Sequence, residues 1–241
     1  MNDKSRARTE VFTLSAFLVL ASLGCLSLFT ARWAISGSIS YRFLIWNLVL
    51  AFVPYMVAAF ATVALRFSSD SPANPGHSSK ALAVVAGILW LLFYPNAPYI
   101  FTDFIHVINR SYLRAPPADW LGLNALVWYD IIMNAAFAFF GHFAGLVSMW
   151  LIARVVRHAW GRVVSRGLIL VAILLSGFGI YLGRFSRLNS WNVLSSPGLV
   201  VDEILEAARD PKALLFSCVF SLFIALSYGA LVVFKKIGSD E

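Results

Sequence analysis

The feature that most constrains this chain is the run Val11–Ala31, VFTLSAFLVLASLGCLSLFTA. It holds about 21 consecutive residues without a charge, more than the roughly 18 that mark a helix able to cross about 30 Å of hydrocarbon. No water in a bilayer core can satisfy backbone N–H and C=O groups, so a crossing segment must close its hydrogen bonds internally, as a helix does. The pattern recurs. Phe43–Leu65 is bracketed by Arg42 and Arg66 and contains Asn47 and Pro54. Further apolar runs place spans at about 81–100, 128–152, 167–183 and 213–234. The predicted fold class is all-α: a polytopic integral membrane helical bundle of six transmembrane helices, with short interfacial helices in the 3–4 and 5–6 loops. Residues 1–241 form a single membrane-embedded domain in this reading.

Composition agrees. Hydrophobic residues make up 60% of the chain and charged residues 13%, with a mean hydropathy of +0.77. An ordinary soluble domain is roughly 45–50% apolar and about 25% charged, so this chain lacks the charge to cover a water-facing surface. The net charge of +7 does not point to nucleic acid, because the basic residues sit at the ends of apolar runs, where they anchor helices against headgroups. Cys25 and Cys218 each lie inside an apolar run and read as small buried hydrophobes, which excludes a disulfide framework or a CxxC metal site. Lys4, Arg6 and Arg8 precede the first run as in a signal peptide. The run is longer than the roughly 7–15 residues of a signal core, so an uncleaved first span is expected.

Between the spans, Arg66–Lys80 has the Ser, Pro, Asn and Gly content of a solvated loop. Span three runs into Tyr94-Pro95-Asn96-Ala97-Pro98-Tyr99, where two prolines remove two backbone donors and end or bend the helix. Phe101–Asn109 is too short and polar to cross, and Pro116-Pro117 breaks the chain again. Trp128 and Trp150 are separated by a helical rise of about 33 Å, matching the two interfaces that tryptophan favours. Asp130, Asn134, Gly141, Gly145 and Ser148 fall within about 60° on a helical wheel, a stripe suited to helix packing. His142, about 120° from Asp130 on the wheel, reads as a hydrogen-bonded packing histidine. Ser196-Pro197 and Asp210-Pro211 each resemble a helix start, the first opening an amphipathic helix through Arg209 and the second opening span six.

Six spans put both termini on one side. That side collects the N-terminal basic residues, Arg66, Lys80, the arginines Arg154, Arg157, Arg162 and Arg166, and Lys235-Lys236. The other side carries a smaller share, together with Asp202, Glu203, Glu206 and Asp210, so the positive-inside rule favours cytoplasmic termini. The end of span three, the start of span four and the end of span five then share a face, where Asp103, His106, Asp130, Arg184, Arg187 and Asn189 can meet.

Those residues are the candidate site. Asp103 and His106 are three apart and share a helical face. With Asp130 they can serve as acid–base groups or ligate a divalent metal, the one cofactor left open. The competing reading makes Asp103 a helix cap and His106 an interfacial side chain. Asp130 is an ionisable group within a span, which costs about 2.5–3.5 kcal/mol at mid-membrane and marks a functional residue by default. Its structural alternative is an ion pair with Arg184 or Arg187. Those two arginines suit a phosphate or act as snorkelling anchors, with Asn189, Asn96 and Trp191 at the same rim. Asn47 and Pro54 read as an interhelical hydrogen bond and a kink. No Walker A loop, G-x-S-x-G, H-E-x-x-H or paired C-x-x-C occurs.

The runs Tyr94–Tyr99, Thr102-Asp103-x-x-His106, Trp128-Tyr129-Asp130, Gly179–Phe185 and Leu188-Asn189-Ser190-Trp191 together resemble the bacterial predicted membrane-protein family catalogued as domain of unknown function 1361. The resemblance covers roughly Ala81–Val193 and implies a multi-pass protein of the bacterial cytoplasmic (inner) membrane, with no activity, substrate or cofactor attached. Expected partners are membrane lipids and not nucleic acid, with a homo-oligomer left open. Three functions compete: binding or processing a lipid or lipid-linked anionic substrate at the outer membrane interface, transport of a small solute or ion, and a scaffold or assembly role in which the polar cluster is purely structural.

Overall fold

A computed structural model describes residues 3–67, 76–109 and 120–237, with side chains placed for 9–65, 76–108 and 125–237. Most of the Arg66–Lys80 loop and the Pro116-Pro117 break lie outside the described residues. All regular structure among the described residues is helical: α1 (Asp3–Ser36), α2 (Phe43–Phe67), α3 (His77–Phe93), α4 (Asn96–Tyr99), a 3-10 turn (Ile100–Asp103), α5 (Phe104–Asn109), α6 (Trp120–Arg184), α7 (Asn192–Ser195), α8 (Pro197–Ala207) and α9 (Pro211–Ile237). Among the described residues, five helical stretches are long and apolar enough to cross a membrane: Thr9–Ser36, Phe43–Leu65, His77–Ile108, Ala125–Arg184 and Pro211–Ile237.

The segments expected as spans four and five belong to one 65-residue element, α6, interrupted at Gly161. Gly161 has φ 84° and ψ −177°, a backbone region essentially reserved for glycine. The two arms, 120–160 and 162–184, double back on each other there. Ser165 Oγ donates to the Ala153 carbonyl at 2.7 Å, although a continuous helix would hold residues twelve apart about 18 Å from each other.

Small residues let the helices approach. The stripe on the first arm is its buried face: Asp130, Asn134 and Ser148 are buried. A Cβ at Gly145 would come within 2.5 Å of the Ala97 Cβ, and one at Gly141 within 3.3 Å of Ala51 and Ile100. Trp90 Nε1 donates to Ser148 Oγ at 2.9 Å, tying α3 to the same arm. On the second arm, Gly177 faces Ser217 and Ser221 of α9, and Ser221 Oγ donates to the Ile173 carbonyl. Outward, large apolar side chains such as Phe60 (71% exposed) and Val163 (85%) face away from the protein, a surface that water would not tolerate over this extent.

At the prolines the helix changes direction without unravelling. α3 stops at Phe93, and α4, the 3-10 turn and α5 continue as short helical pieces, with Ile100, Asp103 and Val107 buried. Phe101–Asn109 therefore folds inward against α2 and α6. α8 opens at Pro197 as the pattern predicts, although Ser196 makes no side-chain capping bond. Asp210 does cap α9, its Oδ1 accepting from the Lys212 N–H at 2.9 Å.

Candidate functional site

The polar residues at this end of the bundle form two separate centres. The first is built on Asp103, which the 3-10 turn after the double proline points into the bundle, where it is 2% exposed. Asn47 of α2 donates from Nδ2 to Asp103 Oδ2 at 2.6 Å. Arg184, at the end of the second arm, places Nη1 3.8 Å from Oδ1, an ion pair longer than a direct hydrogen bond. Three elements distant in sequence thus converge on one carboxylate.

Beside this centre opens a pocket of about 120 Å³ lined by Asn47, Asn96, Tyr99, Gly179, Gly183 and Asn189, among others. The glycines create the room. A Cβ at Gly179 would sit 3.3 Å from the Pro95 ring, and one at Gly183 3.2 Å from the Tyr99 ring. Asn96 also fastens the far wall, donating from Nδ2 to the Phe93 carbonyl at 2.9 Å and to Ser190 Oγ at 3.2 Å. Ser190 Oγ in turn donates to the Leu92 carbonyl at 2.9 Å. The PNAPY and LNSW runs are therefore two sides of one junction. Arg187, exposed and in the left-handed conformation at φ 58°, turns the chain back after the second arm, as residues just beyond a helix end commonly do. The pocket has room for a few waters or one small polar group. Its asparagines supply both donors and acceptors.

The second centre is Asp130, fully buried on the first arm. Arg32 at the end of α1 grips it with both Nε and Nη2, the latter 3.2 Å from Oδ2. Tyr41, just before α2, donates its hydroxyl to Oδ2 at 2.8 Å. Nearby, Tyr129 donates its hydroxyl to the Leu28 carbonyl at 2.7 Å. A bidentate arginine–carboxylate pair is a strong, geometrically specific contact. Here it locks α1 and the start of α2 to α6.

This arrangement corrects two expectations. The ion-pair partner of Asp130 is Arg32; Arg184 pairs with Asp103, and Arg187 makes no ion pair among the described residues. The proposed metal set Asp103, His106 and Asp130 is not assembled either, because no three His, Cys, Asp or Glu side chains among the described residues come together to hold an ion. Asp103 and Asp130 hang from different turns and are claimed by different arginines. His106, half-buried on α5, packs on Phe43 with ring centroids 4.5 Å apart. Of the predicted ligand-binding residues, Asn96 and Asn189 line the pocket, Arg184 stands behind it at Asp103, and Arg187 is exposed. His142 differs as well. Among the described residues, neither of its ring nitrogens meets a hydrogen-bond partner, and the ring stacks on Phe223 at 4.8 Å and meets Phe101 edge-on.

Sequence reasoning missed Arg32 and Tyr41 and undervalued Asn47. One signal was present: the end of span one and the start of span two fall on the same face as Asp103 and Asp130, so their polar residues belonged among the candidates.

Long apolar helices, a helical hairpin and an inward-turned proline break define an all-helical protein with the architecture of a multi-pass membrane protein. The chain belongs to the family described as protein of unknown function DUF1361, which matches residues 46–227. No curated protein and no solved structure matches it.

Proposed function

We propose that this chain is a six-span membrane protein that binds the polar head of a lipid or lipid-linked anionic molecule in the Asn47–Asn96–Asn189 pocket. Counting the two arms of α6 as separate crossings gives the sixth span. By the positive-inside reading the termini are cytoplasmic in a bacterial inner membrane, and the pocket opens at the outer interface. The observation that carries the proposal is the convergence of three asparagines, from α2, α4 and the segment after α6, on one pocket beside the Asp103–Arg184 pair. Asp103 and Arg184 cancel in charge, and exposed Arg187 leaves the rim positive, which suits an anionic head. Asp103 is the acid–base group of this reading. Asp130, with both oxygens already engaged, holds helices together.

The test is mass spectrometry of lipids retained through purification in mild detergent, comparing the wild type with Asn96→Leu and Asn189→Leu. The Asn189 side chain makes no hydrogen bond that holds the fold among the described residues, so its variant is expected to fold even if Asn96→Leu does not. An enriched polar lipid that is lost in the variants supports the proposal. Identical lipid profiles in wild type and Asn189→Leu would leave only the scaffold reading, in which the cluster is structural. Flux of a small solute in proteoliposomes, abolished by Asp103→Asn, would instead make the pocket part of a transport path.

A further inference from the structure

At the opposite end of the bundle, the hairpin at Gly161 brings together side chains that the pocket near Asp103 does not involve. A pocket of about 760 Å³ lies between the two arms of α6 and α9, lined by Arg157, Arg162, Arg166, Lys236, Trp150 and Tyr228, among others. Its remaining wall is mainly apolar, from Ala153, Ile169 and Val232. Among the described residues, no aspartate or glutamate lines it. The nearby carboxylate, Glu10, is already engaged by Arg154 and Lys235, each at 2.7 Å. Among the described residues, positive charge is thus matched at Glu10, while Arg157, Arg162 and Arg166 meet no carboxylate in the lining of the pocket.

A second, apolar groove of about 420 Å³ runs alongside, between α1, the first arm and α9, with Leu14, Phe143, Val147 and Leu231 in its walls. The two cavities share Trp150 as a wall. Lys235 Nζ stands 3.3 Å and Arg154 Cζ 4.6 Å from the centroid of that ring, so the indole separates a charged compartment from a greasy one. Ordinary anchoring arginines reach individually toward headgroups. Here cations from three helical segments face one cavity, with a chain-sized apolar slot beside it. Basic pockets between membrane helices are the recognised setting for anionic lipid heads.

We propose that this end of the protein holds one anionic phospholipid, with its phosphate among Arg157, Arg162 and Arg166 and an acyl chain along the groove past Trp150. The site is separate from the pocket near Asp103 and does not depend on which way the protein sits in the membrane.

Native mass spectrometry of the full-length protein tests this, with dioleoylphosphatidylglycerol and dioleoylphosphatidylcholine added in equal amounts and inorganic phosphate in a parallel sample. The expected result is a single phosphatidylglycerol adduct at a concentration where phosphatidylcholine gives none. The triple variant Arg157→Gln/Arg162→Gln/Arg166→Gln should weaken that adduct by about a hundredfold, equivalent to about 2.8 kcal/mol at 1.4 kcal/mol per tenfold. Lys80→Gln removes an exposed cation outside the lining and should leave the adduct intact. Equal binding of the two lipids by the wild type overturns the proposal whether or not the triple variant folds. So does an equal loss in Lys80→Gln, which would reveal diffuse attraction, or binding of inorganic phosphate without any lipid adduct, which would reveal a soluble-anion site.

Discussion

The lock between Arg32 and Asp130 makes the sharpest prediction about the energetics of this fold. Arg32 is 7% exposed and Asp130 fully buried, so neither charge has water to fall back on. Removing one partner of a buried, hydrogen-bonded ion pair costs about 3–5 kcal/mol, most of it from the charge left behind. An ordinary interhelical hydrogen bond in a membrane protein contributes only about 0.6 kcal/mol and at most about 1.7. The two descriptions are therefore separable. Arg32→Gln should cost about 3 kcal/mol or more, since buried Asp130 loses the bidentate guanidinium contact while the Tyr41 hydroxyl stays. Asp130→Asn should cost a similar amount by removing the carboxylate charge that the buried guanidinium grips. The double variant should be no worse than the worse single change, because both buried charges are then gone. Reversible unfolding in mixed detergent and SDS micelles measures all three values, and their cycle isolates the pairwise term. A coupling above about 2 kcal/mol is expected. Additive single and double changes, with coupling below about 0.5 kcal/mol, would show that the pair does not hold the helices and that Asp130 is kept for another reason.

Other consequences are simpler to test. Gly145→Ala places a methyl against the Ala97 Cβ and should lower stability by about 1–3 kcal/mol through overpacking. Gly229→Ala, which meets nothing within 4 Å, should be neutral or stabilising by up to about 1 kcal/mol; thermal melting in detergent separates the two. Ser190→Ala removes the hydroxyl that joins Leu92 to Asn96 and should speed tryptic cleavage after exposed Arg187, followed as appearance of the 188–241 fragment. His142→Phe removes two buried nitrogens that have no hydrogen-bond partner among the described residues while keeping a ring to stack on Phe223. It should hold or raise the melting temperature, since an unsatisfied buried polar group costs about 1–3 kcal/mol. A large drop would mean that the imidazole carries a bond this packing does not show.

Membrane character was legible from the apolar runs alone, because hydrocarbon thickness imposes a length and a lack of charge that are properties of one-dimensional sequence. The bend after span three was legible too, since proline alters the backbone wherever it stands. So was the meeting of Asn96 and Asn189 at one rim, which follows from alternating the direction of successive spans. The pairing of charges was not. Arg32 and Asp130 are 98 positions apart, and whether Asp130 meets Arg32 or Arg184 depends on which helix lies beside the first arm and on how each is rotated. Helices that face lipid on one side and protein on the other are apolar on both. Hydropathy therefore sets how deep a residue lies in the bilayer but leaves its azimuth and neighbours open. Close packing at Gly141, Gly145 and Gly179, together with the reversal at Gly161, settled those in three dimensions and divided one expected polar cluster into a helix lock and a pocket.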